Sequence, residues 1–578
     1  MANRTLDVSN LITADTIAST VANRFEEWNM YRQHWTEEKK ELRNYVYATD
    51  TRTTSNNKLP WANSTTTPKL TQIYDNLKAN YYASLFPNRQ WLEYEGDSKQ
   101  DDTKLKRDTV KYFMYNKTAN SGFVNTVADE LLDDWILTGN CFATIDYQTE
   151  RVRHDNGDNT YGYIGPKLVR ISPFDIMFDI TASSFDKTPK IIRSIKTLGE
   201  VANMVAEGKD EYKAIYDKMM MNRAEVGSAT QVTKSDGFIA DGFSSLEQYY
   251  QSGYVEILTF YGDMYDAYDN SVQHNRIIEV VDRAFVISNK SNPSWLPTTV
   301  YHSGWRSRPD NLMAMGPLDN LVGMQYRIDH LENLRADVFD QIALPMLKIK
   351  GDVRDFDYEP GGRIVLGDEG DVTSLVPESS ALQADFQIQN LENKMEELAG
   401  APRNAMGIRT PGEKTAFEVD ALANAANRIF THKIGKFERE FLEPVLNGML
   451  ESSRRLMNTS EIVRVFDEPT GITKFREITR EDINGNGKIK ARGASHFEER
   501  NQRVQNINNL MQIKMADPSV GMHLSGKEIA RMLAEEIGQE ALFGENIGVT
   551  EQSETQKAGL DAEADVNEDL EQKAEMGL

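Results

Sequence analysis

Three features of the sequence predict a multidomain α+β chain. Its 578 residues exceed what a single hydrophobic core organises, so roughly two to four domains are expected. Short runs with strand periodicity alternate with long stretches of helical periodicity. One amphipathic helix, expected from Pro411 to Met457, would be about 70 Å long at ~1.5 Å per residue, too long for an ordinary globular layer.

Taken in order, Ile17, Val21, Phe25, Trp28 and Trp35 share one face of a helix expected over about 15–47. Because the aromatics keep helical spacing, they read as a core face rather than a stacking surface for bases. A loop rich in Thr, Asn and Ser follows from Thr51. Helices are expected over about 69–85, 101–116 and 124–137. Strands are expected over about 140–147, 166–171, 190–196, 254–262 and 276–288. The stretch 222–250, rich in Gly, Ser and Asp, reads as a mobile insertion.

Leu318, Leu321, Val322, Ile328, Leu331, Val338 and Ile342 mark a helix over about 318–344, opened by Gly316-Pro317 and ended by Pro345. Its other face alternates charge, through Arg327, Asp329, Glu332, Arg335, Asp337 and Asp340. Three strand-like runs begin at Met346, Gly362 and Asp371. A helix over about 384–398 then leads to a polar loop. Thr410 as N-cap, Pro411 at the first helical position and Glu413 closing a capping box start the long helix. Val419, Leu422, Ala426, Phe430, Ile434, Phe437, Phe441, Val445 and Met449 recur three or four apart. Pro444 lacks an N–H and clashes with the preceding turn, so a kink is expected there. Strand periodicity returns at Ile462 and Phe475. A helix over about 496–515 and a small helical segment over about 525–542 follow. From Thr550 there are nine acidic and two basic residues and no aromatics, so disorder or only local helix is expected.

Net charge is −24, from 65 Lys+Arg and 89 Asp+Glu. A protein that grips DNA tightly shows the opposite balance, because phosphate neutralisation drives binding. This argues against a conventional DNA-binding protein but not against a conduit, whose wall must let a duplex slide. No apolar stretch reaches membrane-spanning length, and MANRTLDVSN has no signal-peptide core. The single cysteine, Cys141, is expected to be a buried small hydrophobe, and the chain to belong to a reducing cytoplasm.

No catalytic site is expected. GIRTPGEKT from Gly407 approaches a phosphate loop, but Glu413 stands between Gly412 and Lys414, where phosphate would lie. DINGNGKIKARG from Asp482 imitates a calcium loop until its twelfth position, Gly493, where a bidentate Glu is needed; a turn at Asn-Gly is expected instead. Asp129/Asp133 and Glu130/Asp134 are carboxylate pairs four apart, read as a solvated acidic face in preference to a divalent-ion site. The eight histidines have no zinc spacing, and no GxSxG is present. No cofactor and no metal are expected.

The run AGAPRNAMGIRTPGEKTAFEV over 399–419 resembles the channel loop of portal proteins, the head-to-tail connectors of tailed bacteriophages, specifically the short-tailed type. The matching positions are Pro402-Arg403, Gly407, Pro411-Gly412, Thr415-Ala416 and Glu418-Val419, continued by AANRI at 425–429 and FEREFLEPVL at 437–446. WRSRPDNLMAMGPLDNLVGMQYRIDHLENLRAD over 305–337 resembles the family's approach to its first stem helix. With INGNGKIKARGASHF from Ile483, the likeness spans roughly 1–543.

The resemblance implies a portal-like subunit. Its parts would be a mixed α/β wing (1–315), stem helix one (316–345), a small β-rich clip (346–380), stem helix two (381–399) and a channel loop (400–411). The long kinked helix with the rest of the wing (412–495), a small helical crown (496–549) and an acidic tail (550–578) would complete it. It implies a dodecameric ring at one capsid vertex, the conduit for double-stranded DNA in packaging and ejection, present in host cytoplasm during assembly. Implied partners are DNA without sequence preference, the large terminase subunit, a tail adaptor or head-completion protein, and the major capsid and scaffolding proteins; no membrane is involved. The stem helices would turn polar faces inward and pack apolar faces on neighbours.

In the loop, Gly400, Pro402 and Gly407 would set shape, while Arg403, Asn404, Arg409 and Thr410 would meet phosphates. Alternatively, the two arginines pair with acidic neighbours such as Glu413 and hold the loop. Clip residues Arg354, Asp355, Asp357, Tyr358, Glu359 and Arg363 would dock terminase and then the tail, or form an ordinary charged turn. Two other classes stay open: a virion adaptor or scaffold without a channel, and an enzyme acting on nucleic acid, for which no metal or phosphate site is found.

Overall fold

The computed structural model describes residues 5–8, 14–47, 63, 65–86, 91–99, 101–153, 159–206, 213, 217, 254–267, 269–292, 299–351, 353–356, 364–375, 384–399, 429–457, 460–467, 472–492, 506–512 and 532–533. The fold is mixed α+β. The chain divides into two units, one of Met1–Ser460 with Ile478–Ala494 and one of Glu461–Glu477 with Ser495–Leu578.

The first unit begins with β1 (Thr5–Val8), α1 (Ala14–Tyr31), α2 (Gln33–Tyr47) and α3 (Lys69–Leu85). Next come β2 (Leu92–Glu95), α4 (Lys104–Asn120), a π turn at Phe123–Val127 and α5 (Ala128–Leu137). Then follow β3 (Asn140–Arg153), β4 (Asn159–Ile171), β5 (Ile176–Phe178), β6 (Lys190–Thr197), α6 (Leu198–Ala206), β7 (Tyr254–Asp266), β8 (Ser271–Val281) and β9 (Phe285–Ser291). One sheet has the order β5-β6-β7-β8-β9, with β1 pairing parallel to the far part of β7. The period-two geometry of β7 feeds two cores. Leu258, Phe260 and Met264 meet Ile17, Val21, Phe25 and Trp28 of α1, while Val255 and Ile257 meet Val201 of α6. The aromatics of the first helix are thus core, as their spacing predicts.

Two expectations from sequence change here. The single helix over 15–47 is broken at Arg32, whose buried guanidinium donates to the carbonyls of Pro173 (2.8 Å), Ile176 (2.7 Å) and Phe174. The strand over 276–288 is a hairpin, because Asp282 and Arg283 turn with φ of 48° and 57°. Arg283 is held there by Glu256 (2.7 and 2.9 Å) and Glu26 (3.0 Å).

β10 (Tyr301–Gly304), β11 (Arg306–Arg308) and β12 (Asn311–Met315) follow. β10 joins β3 and β4 in a three-stranded sheet, and β11 pairs with β12. A 3-10 turn at Asp319–Leu321 opens α7 (Val322–Ala343). Four strands come next: β13 (Met346–Lys350), β14 (Val353–Phe356), β15 (Ile364–Leu366) and β16 (Asp371–Leu375). They form nested antiparallel pairs, β13 with β16 and β14 with β15. β14 is a strand where the sequence reading has only a connection. α8 (Asp385–Ala399) closes this helix–β–helix arm.

The described chain resumes in α9 (429–456), which contains a π turn at Glu438–Leu442 before its last segment, Glu443–Leu456. The Glu443 N–H reaches back five residues to the Glu438 carbonyl, immediately before Pro444 removes the next donor. A π turn thus lies immediately before Pro444, the position at which the sequence leads one to expect a kink. The helix start at Thr410 and the run to Arg428 lie outside the described residues, as do the 222–250 stretch and the tail from 550. Of the helix expected over 496–515, residues 506–512 are described and helical; of the segment over 525–542, only 532–533 are described.

The hairpin β17 (Glu461–Asp467) and β18 (Ile472–Ile478) belongs mainly to the second unit. Back in the first, α10 (Arg480–Ile483) is capped by a box in which Asp482 accepts from Thr479. The Asn-Gly turn follows, and Asn486 N–H donates to Asp101 at 2.9 Å. The next strand, β19 (Lys488–Ala491), pairs with the distant β2. Among the described residues no helix is long and apolar enough to cross a membrane.

Candidate functional site

The channel-loop residues named from sequence, Gly400, Pro402, Arg403, Asn404, Gly407, Arg409 and Thr410, lie outside the described residues. Arg354 and Asp355 fall in β14; Asp357, Tyr358, Glu359 and Arg363 lie outside. What the structure describes is the framework on either side: the arm α7–β13–β16–α8 and the start of α9.

The face of α7 that alternates charge is partly covered: Asp329 is buried, while Arg327 and Asp340 stay exposed. Gln325, Asp329, Asn333 and Asp337 form a ladder at four-residue spacing that takes up Asn63, Thr65 and Thr67. Asn63 N–H donates to Asp337 Oδ1 at 2.6 Å, and its amide reaches Asp337 and Asp340. Thr65 N–H donates to Asn333 Oδ1 (2.8 Å), whose amide returns a bond to the Thr65 carbonyl (3.0 Å). Thr67 N–H donates to Asp329 Oδ1 (2.9 Å), and Gln325 Nε2 donates to the Thr67 carbonyl (2.6 Å). The fit is metric: four helical residues rise about 6 Å and two extended residues about 6.7 Å. Arg335 pairs with Glu332 at 2.7 Å and with Asp385 of α8.

Several large apolar side chains of the arm are exposed, among exposed charged residues such as Arg327, Asp340, Lys348 and Glu397. Tyr326, Leu334, Phe339 and Leu344 on and after α7, Met346 and Leu375 on the paired strands, and Phe386 and Leu398 on α8 are exposed, Phe386 by 78%.

At the start of α9 two lysines grip the β10–β11 corner. Lys433 Nζ donates to the Trp305 carbonyl at 2.5 Å and sits 4.2 Å from the centroid of the Trp305 ring, with Arg306 against the same indole at 5.1 Å. Burial, then Lys436 and Arg306, pushes the Lys433 ammonium down to about 8. Lys436 Nζ donates to the Gly304 carbonyl and Ser307 Oγ, both at 2.7 Å. Burial, with Lys436 and Lys190 adding to it, holds His302 neutral, its value lowered to about 3. Sequence reading missed these lysines, because nothing local marks them as partners of residues about 130 positions earlier.

Three of the four paired carboxylates of α5 are engaged by cations, and Asp134 is buried, so the expectation of a solvated acidic face is corrected there; Glu130 stays exposed. Lys78 Nζ bridges Asp129 (2.9 Å) and Asp133 (2.8 Å), and Tyr74 donates to Asp133. Arg170 grips Asp134 through two bonds of 2.6 and 2.7 Å. Cys141 is fully buried and its thiol is pushed well up by burial, so it is no nucleophile at neutral pH. Among the described residues no cluster of three or more ligand side chains could hold a metal ion.

No known protein family matches the chain, and no curated protein does.

Proposed function

We propose that the chain is the subunit of a ring that conducts double-stranded DNA, a portal protein of the short-tailed phage type. Twelve copies would surround the channel, with the 400–410 loop toward the axis. The nested strands of the arm would form the clip that docks terminase and then the tail adaptor. Capsid and scaffolding proteins would surround the wing, and the assembly would occupy one capsid vertex. No catalytic role is assigned.

The observation that carries the reading is the set of large apolar side chains left exposed along the helix–β–helix arm. In a chain with 27% charged residues, one copy leaves Phe339, Leu344, Met346 and Phe386 uncovered there. Apolar surface of that kind marks a protein–protein interface. Supporting it is the order of described parts, helix, β unit, helix and later a helix with a π turn, together with the sequence likeness around 399–446.

The polar ladder of α7 is taken by Asn63, Thr65 and Thr67, so DNA would pass Arg403 and Arg409 rather than slide along that ladder. Rings carrying Arg403→Ala and Arg409→Ala test this: reduced DNA content in packaging assays is expected, and unchanged packaging and ejection would remove the loop from the account. The same exposed apolar side chains also fit an adaptor that assembles without a channel. Sedimentation and imaging separate the two, since the conduit requires a closed ring of fixed mass with an open centre.

A further inference from the structure

Helix α3 holds the described chain on both sides of the 400–428 segment. Near its start, Lys69 Nζ donates to Glu396 Oε1 of α8 at 2.6 Å, and both side chains are buried. Beside it, Leu70 N–H donates to Gln325 Oε1 of α7 at 3.2 Å. Near its end, Tyr81 stacks on Phe430 of α9, with centroids 4.7 Å apart and planes 26° apart. The Tyr81 hydroxyl accepts from Trp305 Nε1 at 3.2 Å, and its ring meets Trp135 edge-on at 5.2 Å. Glu396 lies about one turn before Ala399, where α8 ends, and Phe430 is the second described residue of α9.

We infer that α3 is a positioning strut that sets the separation between the end of α8 and the part of α9 around Phe430. Lys69 and Tyr81 are twelve residues apart, which a helix holds at about 18 Å. A helix resists stretching because each turn is closed by its own hydrogen bonds. Both ends grip stiffly: a buried ion pair cannot slip without stranding a charge, and Tyr81 is fixed by ring contacts and a hydrogen bond together. The strut comes from a part of the chain more than 300 residues before α8, so it acts independently of the connection it brackets. Its importance for DNA passage rests on the portal reading; the strut itself needs only the contacts above.

Pulsed electron paramagnetic resonance on the full-length chain tests this. Spin labels go on Leu398→Cys and Ile429→Cys, both exposed, in a Cys141→Ala background, with labelled chain diluted into unlabelled. The parent is expected to give one narrow distance. Lys69→Met and Tyr81→Leu are each expected to at least double the width, and the charge-free pair Lys69→Met with Glu396→Leu to restore it. Phe430→Leu, at a half-buried ring, repeats the far-end test should Tyr81→Leu not fold. Arg193→Met, which breaks a pair with Asp175 elsewhere, is expected to leave the width unchanged. Unchanged widths in folded Lys69 and Tyr81 or Phe430 variants would overturn the strut, as would equal broadening by Arg193→Met. A chain that forms no ring but keeps the narrow distance would sink the portal reading and leave the strut standing.

Discussion

Asp329 carries a carboxylate inside a protein–protein seam of its own chain. One oxygen accepts from Thr67 and Gln325, while Oδ2 is buried without a partner. Burial pushes the group up to about 6, against the pull of those two donors. Its folded value lies above the unfolded one, so its contribution to stability is complete below about pH 4 and is lost as pH rises through about 6. Each pKa unit is worth ~1.4 kcal/mol, so the contribution reaches up to about 3 kcal/mol. Asp329→Asn is therefore expected to gain roughly 2 kcal/mol on the parent between pH 4.5 and 7, measured by denaturant melts; a constant difference across that range contradicts the assignment. Asp329 and Asp337 are visible in the sequence, but there they read as part of a face that alternates charge. What covers it lies about 260 residues earlier, and periodicity reports a stripe without reporting its partner.

At the scale of elements, α9 lies on the sheet of β10, β3 and β4 because Gly448 lets it. A side chain there would collide with the Tyr301 hydroxyl and with Ile145. Gly448→Ala is expected to cost ~1–3 kcal/mol through overpacking, read as a lowered melting temperature; an unchanged melt would mean that the helix sits further from the sheet. Pro444→Ala returns a backbone donor just after the π turn. It should stabilise the helix by less than the ~3 kcal/mol that a proline costs in a regular interior, because the π turn already absorbs the defect. A gain of the full amount would show that the turn offers no relief. Helices with strong apolar stripes, such as α3, α7 and α8, were legible to within a few residues. Two of the breaks were not. Arg32 interrupts a helix to reach distant carbonyls, and Asp282-Arg283 turns a hairpin without the glycine or asparagine that usually signals one, so both depend on partners the local pattern does not contain.

For the whole molecule, the α+β class followed from chain length and mixed periodicity, and the arm's helix–β–helix order from the runs between Leu318 and Leu398. The exposure of Phe339, Leu344 and Phe386 was not legible, since a helical wheel does not tell a buried stripe from an uncovered one. On the proposed ring reading, Phe339→Ser, Leu344→Ser and Phe386→Ser together should leave the circular dichroism of the chain unchanged and reduce the assembly to the 65.6 kDa species in sedimentation. Retained assembly would mean that copies meet elsewhere. A net charge of −24 per copy fits a wall that passes DNA without holding it, so release should stay fast at low salt. The most direct test is single-particle averaging of the purified full-length chain. The account predicts a closed twelve-fold annulus with an open pore and the 400–410 loop at its narrowest point; a filament, a filled disc, or that loop on the outer rim would contradict it.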